Sequence, residues 1–384
     1  MSENFKMIAK TFYGFEEILS EELLKLGAQK IIKGNRNVSF YGDKGFMYKS
    51  NISLRTALKI IKPIKEFKFK DIDEYYKKIY EIKWEDYLDF NSSFLINSVV
   101  FNSKIFNNSK FTSLKAKDAI VDRFRNKFKN RPSINSFNPE LKIEIHVNRN
   151  FCTISLDSSG ESLHKRGYKK YNSAAPLNEV LAAGIILMSA WDKKSDLLDP
   201  MCGTGTFLIE AAMIARNIAP NLNRLAFAFE KWKDWDNELF ETIEESVKSK
   251  EIEFEHKLYG FDISSAMIKK ADKNIEISGL GVDIEIVKKD FLTSIKTDND
   301  KLHVLINPPY DKRISADVNQ LYKKIGDTLK NNYLYSDVWI ITANLEAIKS
   351  IGLKSSKKIK LFNANLESRL LNYKIYPGSK KHKY

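Results

Sequence analysis

Four consecutive residues, Asn307-Pro308-Pro309-Tyr310, have the chemistry to bind a planar exocyclic amine, and we predict them as catalytic. The lone pair of such an amine is delocalised into its ring, so a reaction at the nitrogen needs acceptors that hold both N–H bonds. The Asn307 Oδ1 and the Pro308 carbonyl could accept them. The prolines stiffen the turn, and Tyr310 offers a face to an unstacked base. The tetrapeptide suits methylation of guanine or adenine, although a stiff turn after a strand can have the same sequence.

Composition limits the class of protein. The 384 residues are 43% apolar, which is enough for two or three domains with their own cores. No apolar run approaches the roughly 20 residues of a membrane span, and the N-terminus lacks the apolar stretch of a signal peptide. Cys152 and Cys202 are far apart, and the five histidines are scattered. We therefore expect a cytoplasmic protein with no membrane partner, disulfide or metal site.

The positive charge is concentrated in the N-terminal half. Residues 1–170 hold 32 Lys and Arg against 20 Asp and Glu, whereas the remainder holds 31 against 29. An AT-rich genome would also enrich lysine, but it should do so equally in both halves. The asymmetry favours an N-terminal half that binds a polyanion such as nucleic acid.

The elements of the N-terminal half follow from apolar spacing. A helix over 15–26 ends at a glycine, and a second helix is predicted over about 112–130. Apolar runs predict strands at 37–41, 94–100, 141–147 and 151–156.

The second predicted helix has two different faces. Its apolar residues recur every fourth position, so its phenylalanines are predicted as core residues rather than base-stacking platforms. The other face is basic and could contact phosphates, or it could simply be solvated. These two sets are Ala116, Ile120, Phe124 and Phe128 on the first face, and Lys115, Lys117, Arg123, Lys127 and Lys129 on the second.

From about residue 175 the pattern changes to helices alternating with short apolar strands, which predicts a parallel sheet in an α/β domain. The predicted helices are 177–190, a helix through about 218, 265–277 and 319–331. The predicted strands are 196–199, 258–262, 284–287, 304–307 and 338–342, with an antiparallel edge pair at 359–362 and 370–376.

Polar residues stand at four of these strand ends, namely Asp199, Asp262, Asp290 and Asn307. Ligands bind at the carboxyl ends of parallel strands, and a turn with two glycines directly follows the first of them. Asp262 could hold a ribose diol, and Asp290 could accept from an adenine amino group beside Phe291. These roles suit an adenosine cofactor.

A nicotinamide cofactor is disfavoured by the glycine turn itself. The turn lacks the third glycine of the dinucleotide fingerprint, and the next strand-end carboxylate lies much farther than about 20 residues away. That distance requires an insertion over 217–257, which is rich in aromatic residues such as Trp232 and Trp235. These aromatics are predicted as core, with a lid on the substrate side as the alternative.

Several motifs together resemble a known family. The segment 199–206, Asp-Pro-Met-Cys-Gly-Thr-Gly-Thr, with Asn307-Pro308-Pro309-Tyr310, resembles class I S-adenosylmethionine-dependent methyltransferases that act on exocyclic amines. The helix at 114–122 resembles that of a THUMP RNA-binding domain, and 159–168 with 175–179 resemble its junction with the methyltransferase domain. The whole chain is similar to the bacterial THUMP methyltransferases that make N2-methylguanosine in 23S ribosomal RNA, with relatives acting on tRNA.

The resemblance implies an α/β class: a Rossmann-like methyltransferase sheet with an antiparallel edge strand, preceded by α+β ferredoxin-like and THUMP domains. It implies a ferredoxin-like domain at 1–60, THUMP at 61–165 and a methyltransferase domain at 166–384. The implied cofactor is S-adenosylmethionine and the implied partner is RNA. The predicted cofactor-binding residues are Pro176, Leu177, Asp199, Pro200, Met201, Cys202, Gly203, Thr204, Gly205, Thr206, Asp262, Ile263, Asp290 and Phe291. The predicted RNA-binding residues are Lys115, Lys117, Arg123, Lys127, Lys165 and Arg166.

The chain departs from the family after the tetrapeptide, where Asp311-Lys312-Arg313 replaces the usual Gly-Glu-Arg. It also lacks the second methyltransferase half of larger fused relatives, so one methylation is expected. The alternatives are a tRNA guanine-N2 methyltransferase, an N6-adenine methyltransferase on DNA or RNA, and a non-catalytic RNA-binding assembly factor. The oligomeric state stays open.

Overall fold

The fold is organised by two separate sheets, one in each half of the chain. The computed structural model describes residues 3–173, 176–298, 300–309, 315–363 and 366–377. Within these residues the N-terminal half forms an eight-stranded sheet and the C-terminal half a seven-stranded sheet. In the same part of the chain, no helix is long and apolar enough to cross a lipid bilayer.

The N-terminal sheet has the strand order β2-β3-β1-β4-β8-β7-β5-β6. Its elements are, in chain order, β1 (Phe5–Lys10), α1 (Glu16–Leu26), β2 (Gln29–Lys33), β3 (Asn37–Gly42), α2 (Lys44–Ser53), β4 (Lys59–Lys68), α3 (Ile72–Tyr80), β5 (Ser93–Phe101), α4 (Ser109–Phe128), β6 (Ser133–Ile134), β7 (Leu141–Asn148) and β8 (Phe151–Asp157). The predicted α1, β3, β5, α4, β7 and β8 are confirmed. Gly27 ends α1 as expected, with a φ of +100°.

Strand β4 connects the two predicted N-terminal domains. Its Ile61 pairs with Ile8 of β1 on one side and with Asp157 of β8 on the other. Lys59 of the same strand lies 3.0 Å from a Glu144 carboxylate oxygen and 2.8 Å from one of Asp157. The boundary predicted after residue 60 therefore falls inside a strand that belongs to both parts of one sheet.

Helix α4 packs on the sheet as its spacing indicates. Asn108 caps its first turn by accepting from the backbone N–H groups of the next residues, Lys110 and Phe111. Phe124 is 1% exposed in the core, whereas Phe128, at the end of the helix, is 41% exposed. The prediction of core phenylalanines is thus confirmed for Phe124 and wrong for Phe128, because the helix extends past the edge of its partners.

The C-terminal sheet has the strand order β11-β10-β9-β12-β13-β15-β14. Its elements are, in chain order, α5 (Glu179–Met188), β9 (Leu197–Asp199), α6 (Thr206–Ala215), α7 (Asn237–Lys248), β10 (Leu258–Asp262), α8 (Ser265–Ser278), β11 (Ile284–Lys288), β12 (Leu302–Ile306), α9 (Ser315–Asn332), β13 (Ser336–Thr342), β14 (Lys357–Asn363) and β15 (Leu366–Lys374). Strands β9 to β13 are parallel, and β15 pairs antiparallel with β13 and β14. The predicted antiparallel edge pair is confirmed.

The topology places a switch point at β9. The chain goes from β9 to β10 on one side of it and returns to β12 on the other. All five residues of β12 are buried, because a parallel sheet is covered on both faces. The carboxyl ends of β10, β9 and β12 therefore open together at one edge, where a ligand site is expected.

The predicted insertion, 217–257, packs against the N-terminal half. The Tyr48 ring on α2 lies 4.6 Å from the ring of Phe229 and 5.2 Å from that of Trp235. The Tyr48 hydroxyl also accepts a hydrogen bond from the Asp236 N–H at 3.2 Å. The prediction that these aromatics are core is confirmed, and the insertion joins the two halves of the chain.

Arg166 is a second connection between the halves. Its side chain is 1% exposed and lies 3.3 Å from the fully buried Glu210 carboxylate of α6. Its guanidinium also donates to the carbonyls of Leu163 and Arg55, at 2.7 and 2.6 Å, and to the Asn221 Oδ1 at 3.2 Å. The prediction that Arg166 contacts RNA is therefore wrong, since its donors are occupied inside the protein.

We expect Arg166→Met to lower the free energy of unfolding by about 3–5 kcal/mol, because it leaves the Glu210 carboxylate buried without its cation. Lys165→Met is the matched control. Its side chain is exposed and pairs with Glu161, so the substitution should cost less than about 1 kcal/mol. Urea denaturation of both variants measures the difference. Equal losses would show that the buried ion pair contributes nothing of its own.

Candidate active site

A cleft of about 640 Å³ opens at the carboxyl ends of β9, β10 and β12. This size is typical of small-molecule sites. The cleft is lined by Ser173, Leu177, Asp199, Pro200, Met201, Cys202, Gly203, Thr204, Thr206, Phe207, Asp262, Ile263, Asp290, Phe291, Leu292, Asn307, Pro308, Pro309 and Leu321. Most of the predicted cofactor residues and three of the predicted catalytic residues therefore share one cleft.

The glycine turn between β9 and α6 forms the floor of this cleft. The Met201 N–H donates to the Asp199 Oδ1 at 3.2 Å, and the Cys202 N–H to the Phe261 carbonyl at 2.9 Å. Gly203 has a φ of +53°, and a Cβ there would meet no atom within 4 Å. The turn therefore presents bare backbone to the open cleft, which allows a ligand to approach closely.

Asp262 holds the turn from the neighbouring strand. Its Oδ2 accepts from the Gly203 N–H at 3.0 Å, and its Oδ1 accepts from the Ser264 N–H at 2.8 Å. A carboxylate has about four acceptor positions, so capacity for ligand hydroxyls remains. Ile263, the next residue, is 68% exposed and gives this side of the cleft an apolar wall.

Asp199 is buried at the base of the turn. Burial raises its pKa to about 8, the Met201 N–H opposes this shift, and the negative charge of Asp262 adds to it. The Asp262 carboxylate, with the Asp199 carboxyl group beneath the turn, makes this end of the cleft favourable for a hydroxyl-rich ligand.

Asp290 and Phe291 follow β11 at the far side of the cleft. The exposed Asp290 accepts from the Leu292 N–H at 2.9 Å through its Oδ1. Phe291 is 1% exposed, and its ring lies 5.2 Å from that of Tyr333. Phe291 thus forms part of the core beneath the cleft as well as part of its lining.

The predicted catalytic segment follows β12 directly. Asn307 is half-buried, Pro308 is buried and Pro309 is exposed, and all three line the cleft. Tyr310 and the following 311–313 lie outside the described residues, as does Ala175 of the junction motif. An amide, a proline carbonyl and the glycine turn therefore meet around one volume.

Two predicted cofactor residues stand apart from the lining. Pro176 is exposed next to the cleft-lining Leu177. Gly205 begins α6 with a φ of +81°, and a Cβ there would lie 3.5 Å from the Ala271 Cβ. A Cβ there would make only an ordinary contact with α8, so the positive φ is the feature that favours glycine at this position.

Several residues that line or clamp the cleft carry no recognisable sequence motif. Ser173, Phe207, Leu292 and Leu321 have no motif that could have identified them. Asn274 on α8 is fully buried and bridges two loops: it exchanges hydrogen bonds with the Tyr171 backbone at 3.0 and 2.9 Å and donates to the Thr204 carbonyl at 3.2 Å. It was invisible because its partners are remote in sequence.

Most of the predicted RNA-binding cations lie in ion pairs. Arg123 forms a two-pronged contact with Glu85 at 2.7 and 2.8 Å, and Lys127 joins the same carboxylate at 2.7 Å. These cations hold the Glu85 pKa far below its usual range. Lys117 lies 2.7 Å from Asp118 and Lys165 2.7 Å from Glu161, whereas the Lys115 ammonium lies 5.7 Å from the centre of the Phe111 ring.

Three known domain families match consecutive parts of the chain. Residues 6–61 match the RlmL ferredoxin-like domain, 69–157 the THUMP domain and 166–372 the RMKL-like methyltransferase domain. The match to the methyltransferase family covers more than half of the 384 residues.

Individual proteins are similar along nearly the whole chain. The putative RNA methyltransferase slr0064 of Synechocystis is 33% identical, over 94% of this chain and 95% of its own. The ribosomal RNA large subunit methyltransferase K/L of Syntrophotalea carbinolica is 34% identical, over 98% of this chain but 54% of its own. The chain thus spans about half the length of that relative. The crystal structure of SMU.472, a putative methyltransferase complexed with SAH, is 30% identical with a TM-score of 0.88, over 99% of this chain and 100% of its own.

The fold and the cleft define an S-adenosylmethionine-dependent methyltransferase. The chain belongs to the RMKL-like methyltransferase family, joined to ferredoxin-like and THUMP domains. The predicted family, fold class and cofactor are confirmed.

We expect Gly203→Ala to weaken binding of S-adenosylhomocysteine at least tenfold, because its Cβ would occupy the open cleft. Gly279→Ala is the matched control: Gly279 ends α8 with a φ of +72°, and a Cβ there also has no neighbour within 4 Å. Both changes should lower stability by about 1–2 kcal/mol, the cost of left-handed backbone. Calorimetric titration with S-adenosylhomocysteine compares the affinities of the two variants. Equal affinities would contradict the assignment of the glycine turn to cofactor binding.

Asp199 should make stability depend on pH. A raised pKa in the folded state means that the unfolded chain loses this proton first, so the free energy of unfolding falls as pH rises from about 4 to about 8. Denaturation curves from pH 5 to pH 8 should show a steeper fall for the wild type than for Asp199→Asn. Parallel curves would show that the carboxyl is ionised throughout.

Proposed function

We propose that the protein transfers a methyl group from S-adenosylmethionine to the exocyclic N2 of a guanine in 23S ribosomal RNA. The observation that carries the proposal is that the Asn307-Pro308-Pro309 strand end lines the same cleft as the glycine turn and Asp262. The cofactor supplies an electrophilic sulfonium methyl group. The relatives named as RNA and large-subunit rRNA methyltransferases support RNA as the class of acceptor.

The residues present fit this cofactor. Gly203 exposes backbone next to open space, and the Asp262 carboxylate retains acceptor capacity towards a ribose diol. Leu177 and Ile263 line the cleft with apolar surface for a planar ring. Asp199, Asp262 and Asp290 place three carboxyl groups around a ligand that carries a sulfonium and an ammonium group.

The chain's own contribution to the reaction is to orient the amine. The Asn307 Oδ1 and the Pro308 carbonyl would accept hydrogen bonds from the two N–H groups and leave the nitrogen lone pair free to react. Gly203 and Asp262 would hold the cofactor, whose sulfonium methyl group would pass to the nitrogen while the electron pair of the S–C bond stayed on sulfur. The amine proton leaves afterwards to water, so no dedicated base is required. Alignment supplies most of the acceleration, because the methyl group is already reactive.

Guanine N2 and adenine N6 are both planar exocyclic amines, so the tetrapeptide alone allows either. The THUMP domain and the basic N-terminal half favour RNA over DNA. Transfer RNA is the alternative acceptor within the same class. Asp311 and Lys312 follow the predicted catalytic segment where the resemblance implies glycine and glutamate, so the identity of the methylated base should be measured first.

We expect deletion of the gene to remove one N2-methylguanosine from 23S ribosomal RNA, detected by nucleoside mass spectrometry of separated RNA fractions. Wild-type protein should restore it. Asn307→Ala should not, since loss of one positioned hydrogen-bond partner slows such reactions by about 10²–10³-fold. Asn331→Ala, on the exposed last turn of α9, is the matched control and should restore it fully.

The outcomes separate the alternatives. Loss of N6-methyladenosine would show that the substrate base is adenine rather than guanine. Loss confined to the tRNA fraction would show that the substrate is tRNA rather than ribosomal RNA. Rescue of every deletion phenotype by Asn307→Ala would support a non-catalytic RNA-binding factor instead.

A further inference from the structure

One face of the N-terminal sheet carries two rows of exposed side chains at the ends of β4, β8, β7 and β5. In the outer row, Lys68 lies directly opposite Phe151, Phe151 opposite Asn148, and Asn148 opposite Phe101. All four are exposed, with Phe101 at 53% and Phe151 at 38%. The row therefore crosses four strands without a covering element.

Strand alternation explains why this row faces away from the core. Cys152 and Val147, the sequence neighbours of Phe151 and Asn148, are fully buried in the core cluster that contains α3 and α4 residues. The inner row contains His146, whose ring lies 5.6 Å from that of Phe101. We call Phe101, His146, Asn148 and Phe151 the aromatic platform.

Cations border the platform on two sides. Lys68 ends the outer row, and Arg149 forms the tip of the β7-β8 hairpin, with its N–H donating to the Phe101 carbonyl at 2.9 Å. Neither forms an ion pair with any residue in the described ranges, in contrast to Arg123 and Lys127 on α4. Glu66 is the acidic residue of the inner row, and its carboxylate is paired with the Lys6 ammonium at 2.9 Å. The border is thus complementary to a polyanion.

We propose that the aromatic platform binds a short single-stranded RNA segment by stacking one base on Phe101 and one on Phe151. The two rings stand two strands apart, about 10 Å, which leaves room for a separate base on each. Asn148 lies between them and offers both a donor and an acceptor to a base edge. Lys68 and Arg149 meet the flanking phosphates. Exposed aromatics on an open sheet face with cations beside them are the general chemistry of single-strand recognition.

The proposal rests on the proposed function only for the choice of RNA as the natural ligand. A duplex keeps its bases stacked inside, so its bases cannot reach the rings. Unpaired nucleotides near the methylated guanine would satisfy both sites, with the platform fixing the RNA and the cleft acting on the base.

The test uses the full chain and a labelled ten-nucleotide single-stranded RNA of mixed sequence, with fluorescence anisotropy as the readout. Phe101→Ala and Phe151→Ala should each weaken binding about 5- to 150-fold, the usual effect of losing one base–aromatic stack. Phe101→Tyr keeps the ring and should bind within about threefold of the wild type. Binding of the corresponding duplex should change in none of these variants.

Phe137→Ala is the matched control, because Phe137 is 97% exposed in the loop before β7 and lies outside the platform. It should leave binding unchanged. Wild-type affinity in both platform alanine variants would overturn the proposal and would leave a protein partner as the use of this face. The proposal would also be overturned if Phe101→Tyr bound the RNA as weakly as Phe101→Ala. The same holds if Phe137→Ala lost as much affinity as the platform alanine variants.

This assay is independent of catalysis. If the platform variants lose single-strand affinity but no methylated guanine depends on the gene, the proposed function fails and the platform stands. If the gene-dependent methylation is found and the platform variants bind single-stranded RNA normally, the platform proposal fails and the proposed function stands.

Discussion

The hydrogen bond between the Gly203 N–H and the Asp262 carboxylate is the contact on which the cleft depends. It ties the turn after β9 to the end of β10 at 3.0 Å, across 59 residues of sequence. Because β9 lies between β10 and β12, holding this turn in place also sets its distance from Asn307. The positive φ of Gly203 allows the backbone to make that contact while remaining open to a ligand. The glycine turn and the Asn307 strand end are therefore held around the same cleft by one local geometry.

Buried contacts join the two halves of the chain, and ion pairs nearer the surface, such as Lys233 with Asp89, add to them. Arg166 donates to groups from both halves around the buried Glu210, and Tyr48 packs among the aromatics of the 217–257 insertion. Buried groups of this kind require their partners, because an unpaired charge or donor in the interior is costly. The methyltransferase sheet and the basic N-terminal sheet consequently meet through defined contacts.

Charge distribution predicts polyanion binding by the N-terminal half, but it does not show which of its cations are paired within the protein. Lys115, Lys117, Arg123 and Lys127 were chosen from one helix face, yet Arg123 and Lys127 pair with Glu85 from a turn 38 or more residues away. Helical periodicity cannot reveal such a partner. Conversely, Phe101 and Phe151 share one sheet face only because β7 pairs with β5 on one side and with β8 on the other.

The sequence by itself determined the α/β class, the strand ends Asp199, Asp262, Asp290 and Asn307, and the family, because these depend on local periodicity and on contiguous motifs. Only the tertiary structure decided that Arg166 is interior, that the insertion packs against Tyr48 of the N-terminal half and that Asn274 clamps two loops. Each of these depends on a contact between residues remote in sequence. Local propensity acts over a few residues, whereas burial and pairing are set by the packing of the whole chain.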